Sequence, residues 1–150
     1  MNCAFGFDVG SKLIGVAVGN ALTASARALG VVAMRDGSPD WPALDAMQAQ
    51  WLPEALVVGL PLTLAGEEQP ATRRARRFAE QLGARYGTAV ALVDERHSSH
   101  EAARRFAGAR AAGLKRRRDT ATIDAEAAAV ILERWLADTT STFPAQAPSP

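Results

Sequence analysis

The sequence predicts an α/β fold, a mixed sheet covered by helices, and three observations predict it. Residues 3 to 34 hold three apolar runs joined by short connections, which read as an antiparallel meander. From Asp40 onward, amphipathic helical segments alternate with short, continuously apolar runs of the buried parallel-strand kind. The length of 150 residues fits one domain of ordinary size.

Each element has its own reason. Cys3, Phe5, Phe7 and Val9 alternate with Ala4, Gly6 and Asp8, so the first run is a strand with one bulky and one small face. Gly10-Ser11-Lys12 turns the chain into a second run, Leu13 to Val18, and Leu29 to Met34 makes a third. Asp40 is an N-cap, with Trp41 and Pro42 in the first turn of a helix reaching about Trp51. Leu56 to Leu60 is a buried strand and Pro61 to Gln69 a loop. Ala75, Phe78, Ala79 and Leu82 recur at helical spacing, in a helix that ends near Gly83 or Gly87. Ala89 to Val93 is a further strand. Ser98-Ser99-His100-Glu101 has capping-box spacing and opens a helix to about Ala109, and a basic loop follows from Arg110 to Arg118. The last helix buries Ala125, Ala128, Ala129, Leu132, Trp135 and Leu136. The order is β-β-β-α-β-α-β-α-α, a domain over 1–137, with a disordered tail rich in Thr, Ser, Pro, Gln and Ala over 138–150.

Composition removes several function classes. A chain of this size buries about 68–70% of its unfolded surface and needs no disulfide or structural metal. The single cysteine, Cys3, excludes a disulfide framework and a thiolate zinc site. No run of about 18 apolar residues exists to span a membrane, and the N-terminus lacks the pattern of a secretory signal. A cytoplasmic setting is expected. The formal net charge is only +1, yet of 17 basic residues all but Lys12 and Lys115 are arginine, concentrated at Arg73 to Arg77 and Arg104 to Arg118. Arginine forks suit phosphate, and the second cluster, directly before the last helix, reads as a phosphate contact. The first reads equally as phosphate-binding or as a solvated helix face. Trp41 and Trp51 read as helix packing, Cys3 and Trp135 as core, and His97 and His100 as solvent-facing residues at a helix start.

Three acidic sites stand where acids are costly. Asp8 closes the first strand on its small face, where a carboxylate must be solvated, paired or bound to a cation. Asp94 and Glu95 directly follow a buried strand, at the carboxyl end where open α/β sheets bind ligands. Asp124 lies near the start of the last helix, where an acid also suits the helix dipole. Acids from a first strand, a later parallel strand and a final helix can converge on one point. Their mutual repulsion would be relieved by a hard divalent cation, and two such ions suit phosphodiester hydrolysis.

The segment Phe7-Asp8-Val9-Gly10-Ser11-Lys12-Leu13-Ile14-Gly15-Val16-Ala17-Val18 resembles the opening of the YqgF family, also called RuvX. These bacterial proteins were described first as Holliday-junction resolvases and then as pre-16S rRNA nucleases. Val57-Val58-Gly59-Leu60-Pro61-Leu62 resembles the family's VVGLP loop, Asp94 to Ala102 its DERxTTxEA motif, and Ile123 to Leu132 its closing IDAxAAxxIL helix. The resemblance runs from residue 5 to about 136. It implies an RNase H-like fold, with a mixed five-stranded sheet flanked by helices. It also implies that Asp8, Glu95 and Asp124 are catalytic carboxylates holding Mg²⁺ or Mn²⁺, two ions in all. Asp94 would support the loop, Lys12 and Arg96 would meet phosphate together with the basic loop residues Arg116, Arg117 and Arg118, and Gly10 and Gly15 would allow close backbone approach at the first turn. The expected substrate is pre-16S rRNA, free or on a ribosomal particle, cut by a monomer or homodimer. Resolution of a four-way DNA junction is the alternative within the same chemistry, and a non-catalytic nucleic-acid-binding module is the alternative outside it. The chain departs from the family pattern at Asn20, where Asp is usual, at His97 and Ser98-Ser99, and in the apolar loop Thr63 to Glu67.

Overall fold

A computed structural model describes residues 3–94 and 120–139. The strands are β1 (Cys3–Val9), β2 (Leu13–Asn20), β3 (Ser25–Arg35), β4 (Ser38–Pro39), β5 (Ala55–Leu60) and β6 (Val90–Asp94), and the helices are α1 (Trp41–Trp51), α2 (Pro70–Tyr86) and α3 (Thr120–Thr139). They form one mixed sheet in the order β4-β3-β2-β1-β5-β6. β1, β2 and β3 pair antiparallel, and β1, β5 and β6 pair parallel. Five of these strands are those expected; the sixth is the two-residue β4, too short to leave a periodic signature. The helix expected from Ser98, the basic loop and the tail beyond 139 lie outside the described residues. α3 extends through Asp138 and Thr139, past the residue-138 boundary expected for the tail. No described helix is long and apolar enough to cross a membrane.

The alternation along β1 and β2 sorts bulk between the two faces of the sheet. Phe5, Phe7, Val9, Ile14, Val16 and Val18 point to one face, where they pack with Leu44 of α1 and Ala75, Phe78, Ala79 and Leu82 of α2. Phe7 meets Phe78 edge-on at 5.2 Å between ring centroids, and Trp41 stacks on Phe78 at 6.1 Å, which makes Trp41 a packing residue. The other face carries Ala4 and Ala17, covered by Ala128, Ala129, Ile131, Leu132 and Leu136 of α3. Cys3 and Trp135 pack at the margins of these cores.

Local chemistry fixes the helix ends. Asp40 accepts from the Ala43 amide at 3.4 Å with a proline at the start of α1, and Leu52 ends that helix in the left-handed region at φ 50°. Gly87, at φ 63°, ends α2 in the same way. The two helices are clamped where Asp45 accepts from Arg85 at 2.9 and 2.6 Å and from the Tyr86 hydroxyl at 2.6 Å. Those hydrogen bonds hold the Asp45 carboxyl down at about 2.

Candidate active site

Asp8 lies near the carboxyl end of the central strand β1, directly across from Gly15 of β2. Gly15 explains how a helix residue reaches it. A Cβ built on Gly15 would stand 2.0 Å from the Asp124 carbonyl oxygen and 2.9 Å from the Ala125 nitrogen. The backbone of α3 therefore rests on the backbone of β2, a contact that only glycine permits. Gly6 repeats the device farther along the helix, where its Cβ would stand 2.7 Å from Leu132 Cβ and 2.9 Å from the Ala128 carbonyl oxygen. Gly19 instead makes room for the Leu132 side chain, whose Cδ2 would lie 2.8 Å from its Cβ. The close approach expected of Gly15 is thus an approach of α3 rather than of a ligand. Gly10 serves the turn itself, with its amide donating to the Leu13 carbonyl at 2.9 Å.

The result is a carboxylate pair. Burial first, and then the charge of Asp124, push the Asp8 carboxyl up from 3.8 to about 6. Burial raises Asp124 as well. Asp8 is half-buried, and among the described residues no hydrogen-bond donor or ion-pair partner satisfies it. An oxygen-only donor set that repels itself and lacks a cation fits a hard divalent ion. Among the described residues no group of three ligating side chains occurs. The third expected carboxylate, Glu95, lies outside them. Asp94, which ends β6 parallel to β5 and β1, brings the chain to the sheet edge that holds Asp8.

The remaining expected site residues divide similarly. Lys12 is exposed at the tip of the β1–β2 hairpin, four residues beyond Asp8 and at the same sheet end. Arg96, Arg116, Arg117 and Arg118 lie outside the described residues, as do His97 and His100. Asn20 stands at the opposite sheet end, paired with Cys3, where its side-chain oxygen accepts from the Leu22 amide at 2.7 Å. Its role is to close a turn, remote from Asp8. The loop Thr63 to Glu67 is held by its own hydrogen bonds, Glu67 amide to Thr63 Oγ1 at 2.9 Å and Gly66 amide to the Thr63 carbonyl at 2.8 Å. Its base is tied to α2 by the buried Thr72, whose hydroxyl donates to the Pro61 carbonyl.

A family model described as "RuvX: Holliday junction resolvase" matches residues 2–138. A protein of Xylella fastidiosa (strain M23) named "Putative pre-16S rRNA nuclease" is 63% identical over 133 residues, covering 89% of this chain and 86% of its own. A protein of the same name from Xanthomonas axonopodis pv. citri (strain 306) is 61% identical over 132 residues, covering 88% and 85%. Among solved structures, one described as "T. thermophilus RuvC in complex with Holliday junction substrate" superposes with a TM-score of 0.55 at 20% identity, over 95% of this chain and 98% of that one. At that identity the likeness establishes the RNase H-like fold.

Proposed function

The chain belongs to the RuvX family, and we propose that it is a metal-dependent endonuclease that hydrolyses phosphodiester bonds of pre-16S rRNA in ribosome biogenesis. The observation that carries this reading is the pair Asp8 and Asp124, two carboxyls raised by burial and offset by no cation among the described residues. The names of its relatives in Xylella and Xanthomonas support RNA as the substrate.

Hydrolysis requires that an attacking water lose a proton and that the departing 3′-oxygen leave with its negative charge offset. Two Mg²⁺ or Mn²⁺ ions, held by Asp8, Asp124 and Glu95, would supply both functions. The chain's part is to orient the carboxylates. Asp8 sits on a central strand hydrogen-bonded on both sides, and Asp124 on a helix seated on glycine backbones, so neither needs to reorganise when substrate arrives. Lys12 meets a substrate phosphate at the hairpin tip, and Arg96, Arg116, Arg117 and Arg118 meet further phosphates. The setting is cytoplasmic, with the rRNA precursor free or on a ribosomal particle.

The family description supports a second reading, junction resolution. A four-way junction is two-fold symmetric and requires two coordinated cuts, hence a homodimer. Incubation of the wild type in Mg²⁺ with an end-labelled pre-16S leader and a four-way DNA junction separates the two. The proposal expects a discrete RNA cut and an intact junction. Symmetric junction cutting with intact RNA would reverse the assignment.

A further inference from the structure

α2 carries a stripe that the acidic site does not use. Pro70, Arg73, Arg74, Arg77 and Gln81 recur at three- and four-residue spacing and so share one side of the helix. That side forms one wall of a groove of about 250 Å³, and Met34 and Gly37, at the β3–β4 turn, form the other.

These cations are placed against the helix's own interests. Arg73 lies in the first turn of α2, where the helix dipole disfavours positive charge, and Arg74 and Arg77 lie in the turn that follows. No acidic residue occupies the first turn. Arg73 and Arg77 are like charges at i,i+4, an arrangement that destabilises a helix. None of the three forms an ion pair among the described residues, whereas the neighbouring Arg76 is held by Glu68 at 2.5 Å, a carboxylate whose charge also reaches Arg73. A solvated face would gain from interspersed acids, and this groove has none among its lining residues.

Topology ties the groove to the acidic pair. β1 and β3 run in the same direction, both antiparallel to β2, so Met34 and Asp8 stand at the same end of the sheet. The Met34 amide donates to the Lys12 carbonyl at 2.8 Å, joining the groove wall to the hairpin tip. Asp8 faces α3 while the groove lies on the α2 side, and Lys12 stands at the sheet end between these faces.

We infer that this groove is a second nucleic-acid contact, in which Arg73, Arg74 and Arg77 grip backbone phosphates of the strand that crosses the sheet end over Lys12 to reach Asp8 and Asp124. The inference rests on the nuclease reading and adds a phosphate-binding track on the opposite sheet face. The contact is with the phosphodiester backbone and carries no base specificity.

Binding of a labelled pre-16S leader and of a four-way DNA junction, measured by fluorescence anisotropy against salt with Ca²⁺ in place of Mg²⁺, tests it. Three phosphate contacts contribute about 2 to the slope of log Kobs against log[salt] on a single strand. The Arg73→Ala/Arg74→Ala/Arg77→Ala variant is expected to lose that much, and Arg76→Ala to lose none. Arg73→Gln/Arg77→Gln, confined to exposed positions, gives a partial loss that misfolding does not explain. Flattening on either probe supports the groove and identifies the backbone it takes. A wild type that binds with a steep slope matched by both arginine variants would overturn the groove and leave the nuclease reading intact. An equal loss in Arg76→Ala would overturn it too, by reducing the effect to overall charge. A wild type that binds neither probe would overturn the nuclease reading and the groove together.

Discussion

Asp8 shows most plainly what a single residue costs this fold. Its carboxyl is raised to about 6 in the folded chain from an unfolded value of 3.8. A raised acid favours the fold in its protonated form, so that stability is present below about pH 4 and is lost as pH rises through 6. At neutral pH the ionised group costs the metal-free protein about 3 kcal/mol. Asp8→Asn is therefore expected to raise the melting temperature in EDTA at pH 8 and to leave it nearly unchanged at pH 4. A variant less stable than wild type at pH 8 would mean that Asp8 is satisfied by a group outside the described residues. A proposed catalytic position that weakens the metal-free fold fits the general compromise between stability and activity.

At the scale of elements, the decisive contact is helix α3 on strand β2. Gly15→Ala inserts a methyl group 2.0 Å from the Asp124 carbonyl, so the start of α3 must lift from the sheet. The expected cost is about 1–3 kcal/mol by thermal or urea unfolding, with a disproportionate loss of cleavage because Asp124 moves with the helix. Gly83→Ala in α2 is the counterpart. Its Cβ meets only Val90 Cγ2, at 3.8 Å, and the change should stabilise the chain by about 0.5–1 kcal/mol. A neutral Gly15→Ala would mean that the close seating of α3 is not what positions Asp124.

Much of this architecture was legible in the sequence, for physical reasons that differ by element. The bulky and small faces of β1 were visible because a strand's two-residue period writes burial directly into the chain. The start of α1 followed from Asp40 and Pro42, whereas the left-handed cap that ends it falls on Leu52, a residue type that does not announce one. β3 begins at Ser25, four residues before the apolar run that signalled it, because there the alternation of exposed Ser25 and Arg27 with part-buried Ala26 and Ala28 is carried by alanines alone, too small to mark a strand. Gly15 was legible as a site of close approach, but not of approach by α3. That partner lies more than a hundred residues away and enters only through the tertiary fold. The same holds for the arginine groove. Helical spacing gave one wall, while Met34 and Gly37 come from a different element. Asp8 and Asp124 were legible as costly acids, and their proximity is a property of the packing.

For the molecule as a whole, a formal net charge of +1 conceals a separation of charge that its proposed work requires. The acids Asp8 and Asp124 gather at one sheet end, the same end that presents Lys12 and, on the far face, Arg73, Arg74 and Arg77. An anionic polymer is thereby attracted to the edge by cations and engaged at its centre by carboxylates that need a cation themselves. Near-neutral totals limit indiscriminate association, while the local cations steer a phosphate backbone.

Single-turnover cleavage of an end-labelled pre-16S leader by wild type, Asp8→Asn and Asp124→Asn, with Mg²⁺ and with EDTA, bears most directly on the central claim. The account predicts a discrete cut by the wild type that EDTA abolishes. Each variant should slow it by about three orders of magnitude or more, the several kcal/mol expected when a metal-holding carboxylate is removed, with the fold intact by circular dichroism. Cleavage by both variants at the wild-type rate, or a wild-type cut indifferent to EDTA, would contradict it and remove Asp8 and Asp124 from the chemistry.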